Sequence, residues 1–512
     1  MKRTCRIFIQ TAFVLCFFSG AVYTAYPRQV MAGPWLVKPG STQMIIRWEL
    51  DAKYADPVIE YGRDTLRVRR KTLELRGTKE RAFLYQAKLL GLKTGQTYYY
   101  RLLRPVRGRW HTFHTWAKDQ DTFSFVAMGD SRSNPKIFSK IIFETGNVHP
   151  DFIISMGDLV ARGERYDEWH KYYFPVVQKI VSTIPLVSTL GDHETEGDNG
   201  ELFRYFMCGD ESVEKLWFSF DYGNAHFISL DYRHPQDTEM IRWFVHDITA
   251  AKKKWNFVYM HRPVYNLGGH RSEWGKGIWP DLFYKYGVDI VFSGHSHLYE
   301  RFYPVRPEGD ADGSAVTYVT TGGAGAELYE SVKNIAVVAM SRSVNHFVDV
   351  KINKDTLKMT TLDMDGHVLD RFRIIKSGRE KVFDEKIVSQ EILNTVTGLN
   401  AALAGSLSAI PLRYHPALYD LELSSMALED IPFSVQLSQG SEASYIMDYY
   451  RDTLKAGSLL KTRLKIFRKK DVIVSPWGEI KPELRLMMIY EYAGKRDTII
   501  GGAVEYWPPE EQ

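Results

Sequence analysis

A series of short apolar runs, several of which are followed within two residues by an aspartate or a histidine, constrains the fold of this chain most strongly. The runs are rich in Val, Ile and Phe and lie at residues 123–128, 152–156, 185–190, 225–230, 255–260 and 288–293. They are too short for helices and are typical of buried strands. Helical patterns separate some of them, as at residues 135–145 and 237–251. The sequence pattern therefore predicts an α/β core.

Other patterns flank this core. Between residues 32 and 118, alternating stretches such as Thr42–Trp48 and Thr97–Arg101, separated by turn residues, predict a β-sandwich. After the α/β region, predicted at 122–375, the charged stretch 376–386 is interpreted as a linker. Residues 390–512 then carry short strand patterns and no motif with recognisable chemistry. We therefore expect a multidomain chain with an N-terminal β-sandwich, a central α/β domain and a C-terminal β-rich domain.

The first 21 residues are typical of a secretory signal peptide. Lys2, Arg3 and Arg6 precede an apolar run that is too short to cross a bilayer, and small residues follow it. We expect export to the periplasm or the extracellular space, with no membrane attachment after cleavage. Cys208 would be the cysteine left in the mature chain, which predicts no intrachain disulfide. The net charge of +4 falls to +1 without the leader and indicates no nucleic acid partner.

Three of the six Gly-Asp pairs directly follow predicted strands: Gly129-Asp130, Gly157-Asp158 and Gly191-Asp192. Two later strands are followed by His261 and by the segment Gly294-His295-Ser296-His297. A single aspartate after a strand is usually a helix cap, and a single histidine usually has a structural role. Because the carboxyl ends of parallel strands share one edge of a sheet, all of these side chains are expected to meet there.

Three carboxylates gathered in one crevice require compensating positive charge. Bound cations supply it, and a mixture of oxygen and nitrogen ligands suits Mn, Fe or Zn. Six ligands are too many for one tetrahedral ion and therefore indicate a pair. Two ions can hold a hydroxide and clamp a phosphoryl oxygen for in-line attack. The residues thus predict metal-assisted hydrolysis of phosphoesters.

The whole series, including Asp192-His193-Glu194 and Leu298-Tyr299-Glu300-Arg301, resembles the calcineurin-like metallophosphoesterases, and most closely the purple acid phosphatases. The resemblance implies a fibronectin III-like sandwich ahead of an αββα catalytic domain. It also implies that Asp130 and His297 bind one ion, that Asp192, His261 and His295 bind the other, and that Asp158 bridges them. His193, supported by Glu194, would face the phosphate and protonate the leaving group, and His270 would contact the phosphate.

Three positions depart from the family pattern. Ala161 stands where the family has a tyrosine ligand, and Arg132 stands where other branches have a histidine ligand. Asp192 replaces an asparagine and adds a negative charge, which Arg132 and Arg262 could offset while binding substrate. Because the purple colour comes from tyrosinate bound to iron, we expect a colourless or pale protein.

The sequence favours an acid-phosphatase-like phosphomonoesterase acting on a small phosphoester. A phosphodiesterase or nucleotidase would use the same ligands and stays open as an alternative. A surface-binding module that holds metal without turnover is the alternative from another class, motivated by positions 132 and 161. The sequence predicts neither the identity of the ions nor the oligomeric state.

Overall fold

The computed structural model describes residues 30–504, apart from residues 38, 118–119, 209–214, 271, 311–313, 334, 379, 409–416, 425–428, 440, 442–444, 469–483 and 493–494. The predicted leader, residues 1–21, lies outside this part of the chain. Among the helices described, none is both long enough and apolar enough to cross a bilayer.

Residues 30–115 form two four-stranded antiparallel sheets. The strands are β1 (Val30–Val37), β2 (Gln43–Leu50), β3 (Val58–Gly62), β4 (Arg69–Thr72), β5 (Glu74–Lys79), β6 (Ala82–Leu90), β7 (Gln96–Arg104) and β8 (His111–Thr115). The strand orders are β1-β2-β6-β5 and β4-β3-β7-β8. Trp48, Tyr85, Tyr100 and Phe113 are buried between the sheets, as expected for alternating strands that each bury one face.

The central region alternates strands and helices. In chain order it contains β9 (Thr122–Met128), α1 (Pro135–Asn147), β10 (Phe152–Ser155), α2 (Tyr166–Glu168), a π-helical turn (Trp169–Tyr173), α3 (Phe174–Val181), β11 (Leu186–Ser188), α4 (Asp192–Thr195), α5 (Glu201–Met207), β12 (Phe218–Tyr222), β13 (Ala225–Ser229), α6 (Thr238–Ala251), β14 (Trp255–Met260), α7 (Trp279–Lys285) and β15 (Ile290–Ser293). It continues with β16 (Tyr299–Phe302), β17 (Val305–Arg306), β18 (Thr317–Thr321), β19 (Val338–Arg342), β20 (His346–Asn353), β21 (Thr356–Asp363), β22 (Val368–Ser377), β23 (Glu380–Phe383) and β24 (Val388–Ser389).

These strands build two seven-stranded sheets that face each other. Their orders are β11-β10-β9-β20-β21-β22-β23 and β12-β13-β14-β15-β18-β16-β19, while β17 and β24 form a small separate pair. In the first sheet β9, β10 and β11 are parallel, and in the second β13, β14, β15 and β18 are parallel. Phe125 of β9 contacts Phe257 and Phe292 of the opposite sheet edge to face, with ring centroids 5.2 and 6.1 Å apart. Helices cover the outer faces, so this is the expected αββα arrangement.

The described residues after β24 form one helix and seven strands. They are α8 (Gln390–Ser408), β25 (Ala417–Ser424), β26 (Ile431–Leu437), β27 (Tyr445–Met447), β28 (Tyr450–Leu454), β29 (Leu459–Arg468), β30 (Leu484–Tyr492) and β31 (Lys495–Val504). The sheets have the orders β25-β29-β27 and β28-β26-β30-β31. The strand prediction for this region is confirmed, but α8 was not predicted, because its Thr, Gly and Ser residues weaken the helical pattern.

The interpretation of residues 376–386 as a linker is wrong. Residues 380–383 form β23, which pairs antiparallel with β22 at the edge of the first sheet. Lys376 and Lys381 are charged, yet both side chains are turned inward and form ion pairs with Asp289. A run of charges therefore looked like a solvated connector although two of its members are buried with a partner.

Candidate metal centre

The two facing sheets bring the predicted polar residues to one rim. Asp130, Asp158 and Asp192 follow the carboxyl ends of β9, β10 and β11, while His261 and His295 follow β14 and β15. Backbone hydrogen bonds tie these loops together: the Asp130 amide donates to the Gly157 carbonyl at 3.0 Å, and the Gly294 amide donates to the His261 carbonyl at 2.8 Å. The rim therefore draws its residues from both sheets rather than from a single one.

One cluster consists of Asp192, His261 and His295. One potential ligand atom from each residue lies within 4.8 Å of those of the other two. Nδ1 of His295 is 2.7 Å from Oδ2 of Asp192, and Nε2 of His261 is 3.5 Å from the same oxygen. Nδ1 of His261 lies 2.7 Å from the Met156 carbonyl. Since a carbonyl only accepts, this contact assigns the proton to Nδ1 and directs the Nε2 lone pair into the cluster.

The other cluster consists of Asp130, Asp158 and His297, all buried, with the same mutual limit of 4.8 Å. Nε2 of His297 is 3.5 Å from Oδ1 of Asp130. Nδ1 of His297 lies 2.7 Å from the Glu327 carbonyl, which again directs Nε2 inward. Both oxygens of Asp130 also accept from the His295 amide, at 3.0 and 3.1 Å, so the two clusters are rigidly connected.

Asp158 lies between the two clusters. Its Oδ1 is 3.4 Å from Nε2 of His261, whereas its Oδ2 is 3.2 Å from Nε of Arg132. The His193 amide also donates to Oδ1 at 3.0 Å. A carboxylate with one oxygen toward each cluster has the position that a bridging ligand needs.

Nearby charges set the ionisation of these groups. Burial disfavours the charged forms of Asp158 and Asp192, but the adjacent histidines outweigh burial and lower the pKa of both carboxyls. Burial also opposes protonation of His261, yet the Asp158 and Asp192 carboxylates raise the pKa of its ring to about 10. The cluster thus stabilises positive charge strongly.

The residues at this rim fit a pair of metal ions. Nε2 of His261 is fully buried and, among the described residues, has no hydrogen-bond partner. Its carboxylate neighbours at 3.4 and 3.5 Å are too distant for a strong hydrogen bond. A buried imidazole nitrogen that lies between carboxylates without a hydrogen-bond partner is a costly arrangement that a bound metal cation relieves. Carboxylate oxygen and imidazole nitrogen are suitable donors for divalent transition metals.

His193 and Glu194 lie on α4, next to the clusters. Nδ1 of His193 is 2.6 Å from the Ala161 carbonyl, and its Nε2 is 3.8 Å from Oδ2 of Asp158. The expectation that Glu194 supports His193 is not met. The buried Glu194 carboxylate instead accepts four backbone N–H bonds, from Asp158, Leu159, Val160 and Gly191, at 2.7 to 3.4 Å.

Glu194 therefore holds the loop that carries Asp158, and does not act on the imidazole of His193. Burial and the Asp158 charge raise the pKa of Glu194 to about 8. The family resemblance implied otherwise, but these two neighbouring side chains of α4 have different partners.

The two arginines bind the carboxylates rather than project into open space. Nε and Nη2 of Arg262 lie 3.0 and 2.9 Å from Oδ1 of Asp192, and 45% of its side chain is exposed. Arg132 contacts both Asp158 and His297, and only 18% of its side chain is exposed. The expectation of a substrate contact by Arg132 is thus replaced by contacts within the cluster, while Arg262 keeps an accessible edge.

His270 is brought to the same place. Its ring stacks on His295 with centroids 4.4 Å apart, and burial together with the His295 charge lowers its pKa to about 4. Tyr329 was not predicted: its ring lies parallel to that of His297, with centroids 4.4 Å apart. The available signal was the glycine-rich turn at 320–325, which packs on the rim through the Ala324 amide, a donor to the Gly129 carbonyl at 3.1 Å.

Comparison with known proteins shows a similarity to phosphoesterases. The calcineurin-like phosphoesterase family model matches residues 110–299. Acid phosphatase type 7 of Mus musculus is 26% identical over 258 residues, which cover 44% of this chain and 58% of the relative. Phosphoenolpyruvate phosphatase of Allium cepa is 27% identical over 287 residues, covering 48% of this chain and 57% of the relative. The chain thus spans less than two thirds of the length of these two relatives.

A solved structure shares the fold. Purple acid phosphatase from yellow lupin seeds superimposes with a TM-score of 0.60 at 20% identity, covering 68% of this chain and 74% of the lupin chain. The match extends beyond the residues of the family model, so it includes more than the segment that carries the ligands. Residues 110–299 are therefore similar to the calcineurin-like phosphoesterases, and the chain shares its fold with a purple acid phosphatase.

Proposed function

We propose that the protein is an exported, metal-dependent phosphatase that hydrolyses small phosphomonoesters. The observation that carries this proposal is the pair of adjoining clusters, with Asp158 between them and the buried Nε2 of His261 without a hydrogen-bond partner. The named activities of the mouse and onion relatives support phosphoester hydrolysis, and their names favour a phosphatase.

In this proposal Asp192, His261 and His295 hold one ion, Asp130 and His297 hold the other, and Asp158 contacts both. When bound, two such ions neutralise phosphoryl oxygens and lower the pKa of water so that a nucleophile is available near neutral pH. Iron, manganese and zinc all suit this donor set. The carbonyls of Met156 and Glu327 orient His261 and His297 for this purpose.

His193 is the proposed proton donor. Its Nδ1–H is committed to the Ala161 carbonyl at 2.6 Å, which leaves Nε2 on the side of Asp158 to carry a proton toward a leaving group. Positioned acid–base groups of this kind contribute about 10²- to 10⁴-fold to the rate. Its partly exposed ring gives substrate access to Nε2.

Arg262 and His270 are the proposed substrate contacts. The Arg262 guanidinium is paired on one side with Asp192 and exposed on the other, so it can bind a phosphate oxygen while offsetting the extra carboxylate charge. His270 stacks on His295 and lines the same wall. Together they orient a phosphate above the clusters, which is how binding energy lowers the barrier of a transfer reaction.

The test compares an aryl phosphomonoester with an aryl phosphodiester, using metal-depleted protein reconstituted with Mn, Fe or Zn. We expect faster hydrolysis of the monoester, loss of activity on chelation and recovery on metal addition. The variant Asp158→Asn should abolish turnover, and near-normal rates would reject the position assigned to it. A preference for the diester would favour the phosphodiesterase alternative, while bound metal without turnover of either compound would favour a binding module.

Two histidine variants, one at the site and one on the surface, test the role of His193 as a proton donor. His193→Ala should lower kcat/KM by about 10²- to 10⁴-fold with substrates that have poor leaving groups, and less with activated aryl phosphates. His367→Ala removes a surface ring that is 78% exposed and should leave the rate unchanged. An equal loss in both variants would contradict the proposal. Export is tested separately, by determining the N-terminus and the cell fraction of the mature chain.

A further inference from the structure

The two clusters differ in what faces their inward-pointing nitrogens. In the Asp192 cluster, none of the described residues directs a donor at Nε2 of His261. In the Asp130 cluster, by contrast, Nη2 of Arg132 lies 3.3 Å from Nε2 of His297. Since Nδ1 of His297 carries its proton toward the Glu327 carbonyl at 2.7 Å, Nε2 is the acceptor and Arg132 is the donor.

Arg132 also binds Oδ2 of Asp158, a residue of the Asp130 cluster, whereas Oδ1 is the oxygen near His261. Nε of Arg132 is 3.2 Å from Oδ2, and its Nη1 donates to the hydroxyl of Ser133 at 3.3 Å. The Arg132 amide donates to the Asp158 carbonyl at 3.2 Å, which fixes the backbone that carries the guanidinium. One side chain thus covers two lone pairs that a second ion would need.

Arg262 provides the internal contrast. It carries the same charge, but the one ligand residue that it binds is Asp192: its Nε and Nη2 lie 3.0 and 2.9 Å from Oδ1, and its Nε lies 3.3 Å from Oδ2. Oδ2 also faces Nδ1 of His295 at 2.7 Å and Nε2 of His261 at 3.5 Å. Arg262 therefore contacts a carboxylate and no inward imidazole nitrogen, whereas Arg132 contacts both Asp158 and Nε2 of His297.

We propose that Arg132 acts as a built-in competitor for the second ion, so that this chain binds one metal ion tightly, at Asp192, His261 and His295, and a second one only weakly. This inference rests on the proposed metal-dependent function and concerns how the centre is loaded. The guanidinium is permanently charged and supplies the positive charge that Asp130 and Asp158 require. A second ion has to displace this guanidinium. Ala161 stands where the family has a tyrosine ligand, so position 161 supplies no ligand that would compensate for the displacement.

The decisive measurement is metal stoichiometry. Full-length protein is stripped of metal, equilibrated by dialysis with Mn²⁺ or Zn²⁺ and analysed for bound metal. We expect about one tightly bound ion per wild-type chain, and a second ion that binds about 10- to 100-fold more weakly, the range by which outer-shell contacts to metal ligands commonly change metal affinity. Two ions of equal affinity in the wild type would overturn the inference.

Variants at position 132 test the cause. Arg132→Ala removes the competitor and Arg132→His supplies a ligand, so both should strengthen the second binding event, the histidine variant more. Arg262→Ala is the matched control: it removes a guanidinium from the other cluster and should leave the second event as weak as in the wild type. If Arg132→Ala and Arg262→Ala gave the same metal-binding isotherm, the assignment of the competing role to Arg132 would be wrong.

The magnetic state of bound Mn²⁺ gives a readout that needs no variant. In electron paramagnetic resonance, wild-type protein with one equivalent of Mn²⁺ should show the hyperfine-split spectrum of an isolated ion. The spectrum of an exchange-coupled pair should develop only with excess Mn²⁺. A coupled signal at one equivalent would overturn the inference. Failure to bind any metal would remove the proposed function as well, so the two failures are distinguishable.

Discussion

At the scale of single residues, three of the proposed ligands adopt an unusual backbone conformation. Asp130, Asp158 and His295 have φ values of 60°, 54° and 65°, in the left-handed region that residues with a Cβ rarely enter. Each directly follows a glycine, so the chain turns sharply just beyond a strand and directs the side chain into the rim. Such strain persists only where the surroundings enforce it, and it is concentrated in functional sites.

The Gly-Asp and Gly-His pairs were visible in the sequence, but the reason for each glycine was not. A methyl group on Gly294 would lie 2.4 Å from Oδ2 of Asp130, and one on Gly157 would lie 2.5 Å from the Gly191 amide nitrogen. These glycines allow loops from different strands to approach each other. Glycine is required at these positions because of contacts between residues that are more than thirty positions apart in the sequence. No local sequence pattern encodes such contacts.

Gly294→Ala should therefore disable the Asp130 cluster. The new methyl group must push the Asp130 carboxylate aside, so we expect at least about a tenfold loss of activity and a stability loss of about 1–3 kcal/mol. Gly277→Ala is the control, because a methyl group there meets nothing within 4 Å. Steady-state kinetics and chemical denaturation of both variants check the prediction. Full activity in Gly294→Ala would show that Asp130 has more room than the packing indicates.

At the scale of elements, the apolar runs located the strands well because burial selects their composition. The predicted run at 255–260 coincides with β14, and those at 123–128 and 225–230 differ from β9 and β13 by one residue at an end. The assignment of the strands to two facing sheets came from the family resemblance and not from the runs themselves. Pairing partners depend on contacts between distant segments, so composition alone does not specify them.

Charged residues were the weak point of the prediction at this scale. Lys381 of β23 and Lys376 of β22 form ion pairs with Oδ1 and Oδ2 of Asp289 at 2.9 and 2.8 Å. Asp289 directly precedes β15, so the ion pairs join the edge of one sheet to the central strand of the other. This strand carries His295 at its opposite end. The charged stretch 376–386 therefore bridges the two sheets and is not a polar connector.

Asp289→Asn should destabilise the protein by about 3–5 kcal/mol, because it leaves two buried ammonium groups without their counterion. Burial raises the pKa of Asp289, but Lys376 and Lys381 outweigh burial and lower it below the ordinary value. A carboxyl whose pKa is lowered by folding contributes stability above about pH 4 and loses it as the pH falls through its folded pKa.

The stability difference between wild type and Asp289→Asn should therefore shrink when denaturation is measured at pH 3 instead of pH 7. Asp355→Asn is the control: its partner is Lys254, more than half of its side chain is exposed, and a loss of no more than about 1 kcal/mol is expected. A difference that stays constant between the two pH values would contradict the role of the Asp289 charge.

At the scale of the whole molecule, the sandwich is fixed to the catalytic region by specific polar contacts. Nε1 of Trp35 and Nη1 of Arg47 both donate to the Phe206 carbonyl near the end of α5, at 3.1 and 2.9 Å. Carbonyls at a helix end lack partners within the helix and need such donors. The Tyr100 hydroxyl similarly donates to the Ser182 carbonyl at 2.6 Å, just after α3. The sequence predicted both regions but contained no signal for this interface.

His170 gives the interface a dependence on pH. Its Nε2 faces Oε2 of the buried Glu49 on β2, and its Nδ1 lies 3.1 Å from the Tyr166 carbonyl. Both partners are acceptors, so only the doubly protonated ring donates to both. Burial opposes this charge, but Glu49 outweighs burial and raises the pKa of His170. Because folding raises this pKa, its stabilising contribution is present below about pH 6.5 and is lost as the pH rises through the folded value.

His170→Gln should therefore cost more stability at pH 6 than at pH 9, because the glutamine cannot supply the positive charge that Glu49 binds at the lower pH. The measurement is the free energy of unfolding of wild type and variant across this range. His246→Gln, on the exposed side of α6, is the control and should follow the wild-type curve at every pH. A larger loss at pH 9 than at pH 6 would reverse the sign of the linkage and mean that His170 is neutral in the folded protein. The stability of the protein at low pH would then have to come from contacts other than the one between the sandwich and the catalytic region.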